Sequence, residues 1–170
     1  CSNAQLAIAP NLYAKLPYDP LRDLRPVSTV AFAPFVLAVN ANLPVSTVRE
    51  LIALAISKKG LLNYGSSGNG SISNLAAEML KSMTGADILQ VPYKGQVPIL
   101  TAMASGQIDM AFTDLAAASS YAKAGKLRLL ATTGSKRLNA APQLPTMAEA
   151  GIEGYSVDVW YGIVAPAGTP

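Results

Sequence analysis

Three observations in the sequence predict an α/β fold. Gly60, Gly85, Gly106 and Gly125 each close a helix-like stretch, where glycine's tolerance of positive φ suits a helix stop. Within three residues of each glycine a short apolar run begins, over residues 61–64, 88–91, 108–112 and 127–131. Runs of that length between helices read as strands of a mainly parallel sheet. Third, 51% of the 170 residues are hydrophobic and 14% charged, enough to build the core of one domain and to exclude disorder over most of the chain.

The elements follow in order. Residues 10–26 carry Pro10, Pro17, Pro20 and Pro26, which disfavours a long regular element there. Two extended segments come next, 27–33 and 35–40, split by Pro34. Val48, Leu51, Ile52, Ala55 and Ile56 have helical spacing, and Thr47 with Glu50 makes a capping box at the start. Lys58 and Lys59 fall where the helix dipole is negative. Ile72, Leu75, Ala76, Met79, Leu80 and Met83 repeat the period, and further helices are expected at about 96–105 and 116–124. Pro142 and Pro145 precede a short helix expected through Met147, Ala148, Glu149 and Ala150; residues 157–164 read as a long strand. The outer strands 27–33, 35–40 and 157–164 have no helical partners in the chain, which assigns them to a neighbouring sheet.

Composition narrows the chemistry. With no histidine and one cysteine, the chain cannot supply a Ser-His-Asp or Cys-His pair, a zinc finger or an internal disulfide. No metal and no cofactor is expected. A net charge of +3 is a mild preference for anions, far short of the basic stripe of a nucleic-acid binder. The longest apolar run, 27–39, is interrupted by Ser28, Thr29 and Pro34 and is too short to cross a bilayer. No basic start followed by an apolar stretch marks a leader. No acid pair with separated environments, and no serine, lysine or cysteine beside a base, can be read from the sequence, so no catalytic residue is assigned.

The strongest local feature is the small polar loop Gly65, Ser66, Ser67, Gly68, Asn69, Gly70 and Ser71, between a strand and a helix. Such a loop sets free backbone N–H groups at the positive end of a helix, a site for carboxylate, phosphate or sulfate. It lacks the Gly-Lys-Ser/Thr of a phosphate loop, and Ser73 stands where a dinucleotide fingerprint needs its third glycine. The plain alternative is a tight turn with Ser71 as N-cap. Tyr93, Lys94 and Gly95 occupy the equivalent place after the next strand, with a ring, a charge and close backbone access; a solvated lysine is the simpler reading of Lys94. Asp114, after the strand at 108–112, lies at the same edge as a partner for a ligand donor group or as a helix N-cap. Asp87, Glu78 and Asp109 read as surface charges, and Trp160 and Tyr161 as core.

The segments NLYAKLPYDPLRDLRPVS, LNYGSSGNGSISNLAAEMLKSMTG, VPYKGQVPILTAMASGQIDMAF, AGKLRLLATTGSKR and LPTMAEAGIEGY with WYGIVAPAGTP resemble, in order and over the whole chain, the Bug-type receptors. These are the extracytoplasmic solute-binding proteins of tripartite tricarboxylate transporters. The resemblance implies a periplasmic-binding-protein-like (type II) bilobal fold, a small organic anion held between the lobes, membrane transporter subunits as partners and a periplasmic, monomeric receptor. It places 1–35 in the first lobe and crossover, 36–156 in the second lobe and 157–170 on the returning strand, with 27–40 and 157–164 as crossover regions, so the chain reads as an internal portion of a receptor. It matches Ser66, Ser67, Gly68, Asn69 and Gly70 to a carboxylate loop and Tyr93, Lys94 and Gly95 to a flanking turn. Ser2 and Asn3 fall in a first-lobe loop that also faces the ligand. Phe112-Thr113-Asp114 departs from the Phe-Asp-Asn of relatives, and Asn74 stands where they often carry histidine. Two other classes fit the residues: a ligand-sensing effector domain of a transcription regulator, and a nucleotide-using α/β enzyme.

Overall fold

The computed structural model describes residue 1 and residues 4–169. A wide helical turn, Ala4–Ile8, and a one-turn helix α1 (Ala9–Leu12) precede β1 (Leu24–Phe32), β2 (Phe35–Asn40) and α2 (Val48–Ser57). There follow β3 (Leu62–Ser66), α3 (Ile72–Thr84), β4 (Ile88–Pro92), α4 (Gln96–Ala104), β5 (Met110–Asp114), α5 (Leu115–Lys123), β6 (Leu127–Thr132) and β7 (Trp160–Pro166). Five strands form one sheet in the order β4-β3-β5-β2-β6, while β1 and β7 pair antiparallel as a separate ribbon.

The α/β expectation holds. β3 runs parallel to β4 and β5, and β2 is antiparallel to β5 and β6, so four strands share one direction. The assignment of 35–40 to a neighbouring sheet does not hold: β2 is a central strand of the main sheet, and all six of its residues are buried. Phe35, Leu37 and Val39 enter a core with Leu51, Ala55, Ala76 and Leu80 of α2 and α3. Val36 and Ala38 face the opposite core with Ile99, Met103 and Ala118 of α4 and α5. Successive side chains of a strand alternate between faces, so a strand covered on both sides is apolar throughout and shows no polar period.

The predicted capping box forms, with Thr47 Oγ1 accepting from Glu50 N–H at 3.2 Å and the Glu50 carboxylate from Thr47 N–H at 3.2 Å. Elsewhere element bounds shift. β3 and β5 end two residues beyond their apolar runs, because backbone pairing with β4 and β2 continues through Gly65–Ser66 and Thr113–Asp114. Asp109 is no plain surface charge: it accepts Asn63 N–H at 2.8 Å and donates its own N–H to Asn63 Oδ1 at 3.1 Å, tying β5 to β3. Pro26 falls inside β1, beside a bulge in the pairing with β7, where a residue without N–H is tolerated. Residues 147–150 form one capped turn, not a helix; Thr146 and Glu149 exchange hydrogen bonds at 2.8 and 3.1 Å, and Gly151 at φ 107° ends it.

β7 begins at Trp160, not 157, because the preceding residues bond to the main sheet instead. Thr133, fully buried, fastens both segments that pass between the sheets. Phe35 N–H donates to Thr133 Oγ1 at 3.0 Å and Thr133 N–H to Phe35 O at 2.8 Å. The same hydroxyl donates to Val157 O at 2.8 Å, and Val157 N–H to Thr133 O at 2.8 Å. Just beyond, Ala33 N–H donates to Val159 O at 2.8 Å, joining the two segments to each other.

Candidate functional site

Because β3, β4 and β5 are parallel, their carboxyl ends share one sheet edge. β2 starts at Phe35 opposite Asp114, so the crossing segments arrive at that same edge. The three predicted loops are tied together there. Tyr93 N–H donates to Ser66 O at 2.8 Å, and Gln90 Nε2 to Ser66 Oγ at 2.7 Å. Gln96 Oε1 accepts from Thr113 Oγ1 at 2.8 Å and from Asp114 N–H at 3.3 Å.

The glycine loop uses most of its polar groups on itself. Gly68 N–H donates to the buried Ser66 Oγ at 3.2 Å, Ser67 N–H to Ser73 Oγ at 3.1 Å, and Gly70 N–H to Asn74 Oδ1 at 3.0 Å. Ser71 is the N-cap of α3: its hydroxyl accepts Asn74 N–H at 3.2 Å and donates to Gly68 O at 2.7 Å. The cap reading of Ser71 is therefore realised, while most of the N–H groups expected to be free are taken by protein acceptors. Among the described residues, the N–H groups of Asn69, Ile72 and Ser73 have no protein acceptor, and Ser67 and Asn69 are exposed. The N–H groups of Ser67, Gly68, Gly70 and Ser71 are all taken by protein acceptors.

Tyr93 is half-buried against the α4 and α5 core, while Lys94 is exposed and, among the described residues, in no ion pair. Gly95 takes the N-cap place of α4 at φ 100°. Asp114 takes the N-cap place of α5 but its side chain makes no cap bond. It lines a cavity of about 480 Å³ with Ala33, Pro34, Leu115 and Tyr161 among the walls. Burial pushes its carboxyl above the ordinary range, against a weaker lowering by the Gln96 hydrogen bond. A folded-state pKa raised above the unfolded value means that stability falls as pH rises through the window between them. Asp114→Asn is therefore expected to raise the thermal midpoint at pH 7 by about 1–3 °C and leave it unchanged at pH 3, the partial exposure keeping the effect small. Paired thermal melts check this, and an unchanged or lowered midpoint at pH 7 refutes it.

Several residues of the site were not legible in the sequence. Asn74, Gln90 and Gln96 support the loops, and Leu12 of α1 packs against Gly70. Glu78, read as a surface charge, accepts from Tyr64 Oη at 2.7 Å and Lys81 Nζ at 2.9 Å. Tyr161, read as core, stands in the wall of the Asp114 cavity. Asn74 was marked in the sequence only as a departure from the relatives, and neither Ser73 nor Asn74 lies on the stripe that the apolar period of α3 assigns to the core. Ser2 and Asn3 lie outside the described residues. Among the described residues no group of three or more acids and cysteines could hold a metal, and no helix is long and apolar enough to cross a membrane.

An α/β sandwich linked by two crossing segments to a separate ribbon, with polar βα loops at the crossing edge, is the architecture of periplasmic solute-binding proteins. The whole chain, residues 1–170, matches the family described as Tripartite tricarboxylate transporter family receptor, and it belongs to that family, whose members are receptors and not enzymes. It is similar to Protein BugT of Bordetella pertussis, 34% identical over 168 residues that make up 99% of this chain and 52% of that protein. Of solved structures, it resembles an R. palustris protein with adipate (TM-score 0.92, 39% identity, 100% of this chain and 57% of that one). It also resembles MatC from Rhodopseudomonas palustris with bound malate (TM-score 0.87, 30% identity, 99% and 57%). The chain spans about half the length of the curated relatives it matches.

Proposed function

We propose that this chain is the sheet-bearing lobe, with both crossing segments, of a non-catalytic periplasmic receptor that captures a small organic carboxylate. Residues 36–156 form the second lobe, and 1–35 and 157–170 belong to the crossover and first lobe. The observation that carries the reading is the convergence of three polar βα loops at the edge where the crossing segments arrive. The relatives that hold adipate and malate support a dicarboxylate. One carboxylate is held, directly or through ordered water, by the N–H groups of Asn69, Ile72 and Ser73 and the hydroxyl of Ser67, at the positive end of α3. Tyr93, Lys94 and Gly95 flank it, and Asp114 accepts a donor group of the solute.

Closure about the crossing segments encloses the solute, and the loaded monomer delivers it to membrane transporter subunits. The test is calorimetric titration of the complete protein with adipate, malate, a tricarboxylate, nicotinate and acidic amino acids. Heat or a thermal shift with at least one carboxylate is expected. No response across the whole panel refutes carboxylate capture.

A further inference from the structure

A chain of hydrogen bonds runs from the glycine loop to the outer surface of α3, and its polarity is set by chemistry at one end. The Glu78 carboxylate can only accept, and its Oε1 takes the Tyr64 O–H at 2.7 Å and a Lys81 N–H at 2.9 Å. Tyr64, fully buried, has spent its one proton, so towards Asn74 its oxygen can only accept. It does so from Asn74 Nδ2 at 2.9 Å. That turns the buried carboxamide so that Oδ1 faces the loop, where it takes Gly70 N–H at 3.0 Å.

We infer that Asn74 is a positioning residue for the anion loop: a neutral carboxamide, oriented by Tyr64 and Glu78, that holds Gly70 in place while adding no negative charge beside the bound carboxylate. The inference rests on the reading of this loop as the carboxylate site. Aspartate at this position has the same shape and the opposite electrostatics. One of its oxygens would face a tyrosine oxygen whose proton is committed to Glu78, and its charge would lie one residue from the free N–H of Ser73. The titratable groups around it are Tyr64 from β3 and, beyond it, Glu78 and Lys81 on α3; α1 contributes the apolar Leu12 on the loop side. Burial pushes Glu78 up, but the hydrogen bonds from Tyr64 and Lys81 outweigh it and hold the carboxyl below its usual range. Lys81 also sits 5.9 Å over the Tyr64 ring; with its carboxyl held low, Glu78 remains an acceptor through the pH range of the test.

The experiment is calorimetric titration of the complete protein with adipate and malate between pH 5 and 8, for wild type, Asn74→Asp and Tyr64→Phe. Affinities are compared as the ratio to wild type at each pH, in which the ionisation of the solute cancels. For Asn74→Asp the ratio is expected to show about tenfold or greater weakening at pH 8, shrinking to within about threefold at pH 5 as the new carboxyl takes up a proton. Tyr64→Phe keeps the site neutral and is expected to weaken binding about two- to fivefold at every pH. An Asn74→Asp ratio that does not change with pH overturns the inference, as does wild-type affinity in Tyr64→Phe if the first variant does not fold. Failure of wild type to bind either acid refutes the carboxylate reading itself and is seen before any variant is compared.

Discussion

Thr133→Val is expected to destabilise the complete protein by about 2–4 kcal/mol, while Thr133→Ser stays within about 1 kcal/mol of wild type. Valine keeps the shape of threonine and removes only the hydroxyl. That hydroxyl accepts the buried Phe35 N–H at 3.0 Å and donates to Val157 O at 2.8 Å. Without it the buried Phe35 N–H and the partly buried Val157 O both lose their partner, beside a Thr133 that is itself 0% exposed. A buried polar group deprived of its partner costs about 1–3 kcal/mol, and here two are deprived at once. The backbone bonds of Thr133 to the same two residues remain, so the crossing segments are loosened and not released. Denaturant titration of the three proteins measures the difference, and amide exchange at Ala33 and Val157 is expected to quicken in the valine variant alone. A midpoint for Thr133→Val equal to that of wild type would show that the clasp contributes nothing.

This clasp also marks where the sequence stopped being informative. Helix starts and stops were legible because they depend on residues close in the chain: Thr47 with Glu50, and Gly85, which closes α3 at φ 70°. Strand existence was legible from short apolar runs. The place of β2 was not. Its identity as a central strand depends on pairing with β5 and β6, about 70 to 95 residues away, and nothing in Phe35–Asn40 encodes that distance. Thr133 has the same character, since the second of two adjacent threonines before Gly134 acquires its role only from what the fold brings to it.

The candidate site divides along the same line. The glycine loop was recognisable because glycine, serine and asparagine between a strand and a helix have a local meaning. What the loop does with its N–H groups depends on Ser73 and Asn74 in the first turn of α3, off the stripe that the apolar period assigns to the core. Ser73 and Asn74 are buried there at 4% and 7% exposure, and buried polar groups persist only with partners. The apolar period thus gave no clue to this internal network, and only the neighbouring strand could say that the partner of Asn74 was Tyr64.

Gly70→Ala is expected to cost about 2–4 kcal/mol and to weaken carboxylate binding severely, and a comparison with Gly68→Ala separates the causes. Both glycines have positive φ, 74° at Gly70 and 103° at Gly68, so both substitutions incur backbone strain of about 1–2 kcal/mol. The surroundings differ. A Cβ at Gly68 meets nothing within 4 Å, whereas at Gly70 it would run into the Leu12 side chain. The second cost is overpacking, about 1–3 kcal/mol, held towards the lower end because Leu12 is 50% exposed and can give way. Leu12→Ala should therefore recover about 1 kcal/mol in the Gly70→Ala background and nothing in the Gly68→Ala background, a coupling that a double-mutant cycle reads directly. Binding follows a different logic: Gly70 is the loop residue fixed by Asn74, so strain there moves the neighbouring Asn69 and the first turn of α3 together. Relief by Leu12→Ala should restore stability more than affinity. Equal recovery in both glycine backgrounds would mean that α1 does not seat on the loop at Gly70.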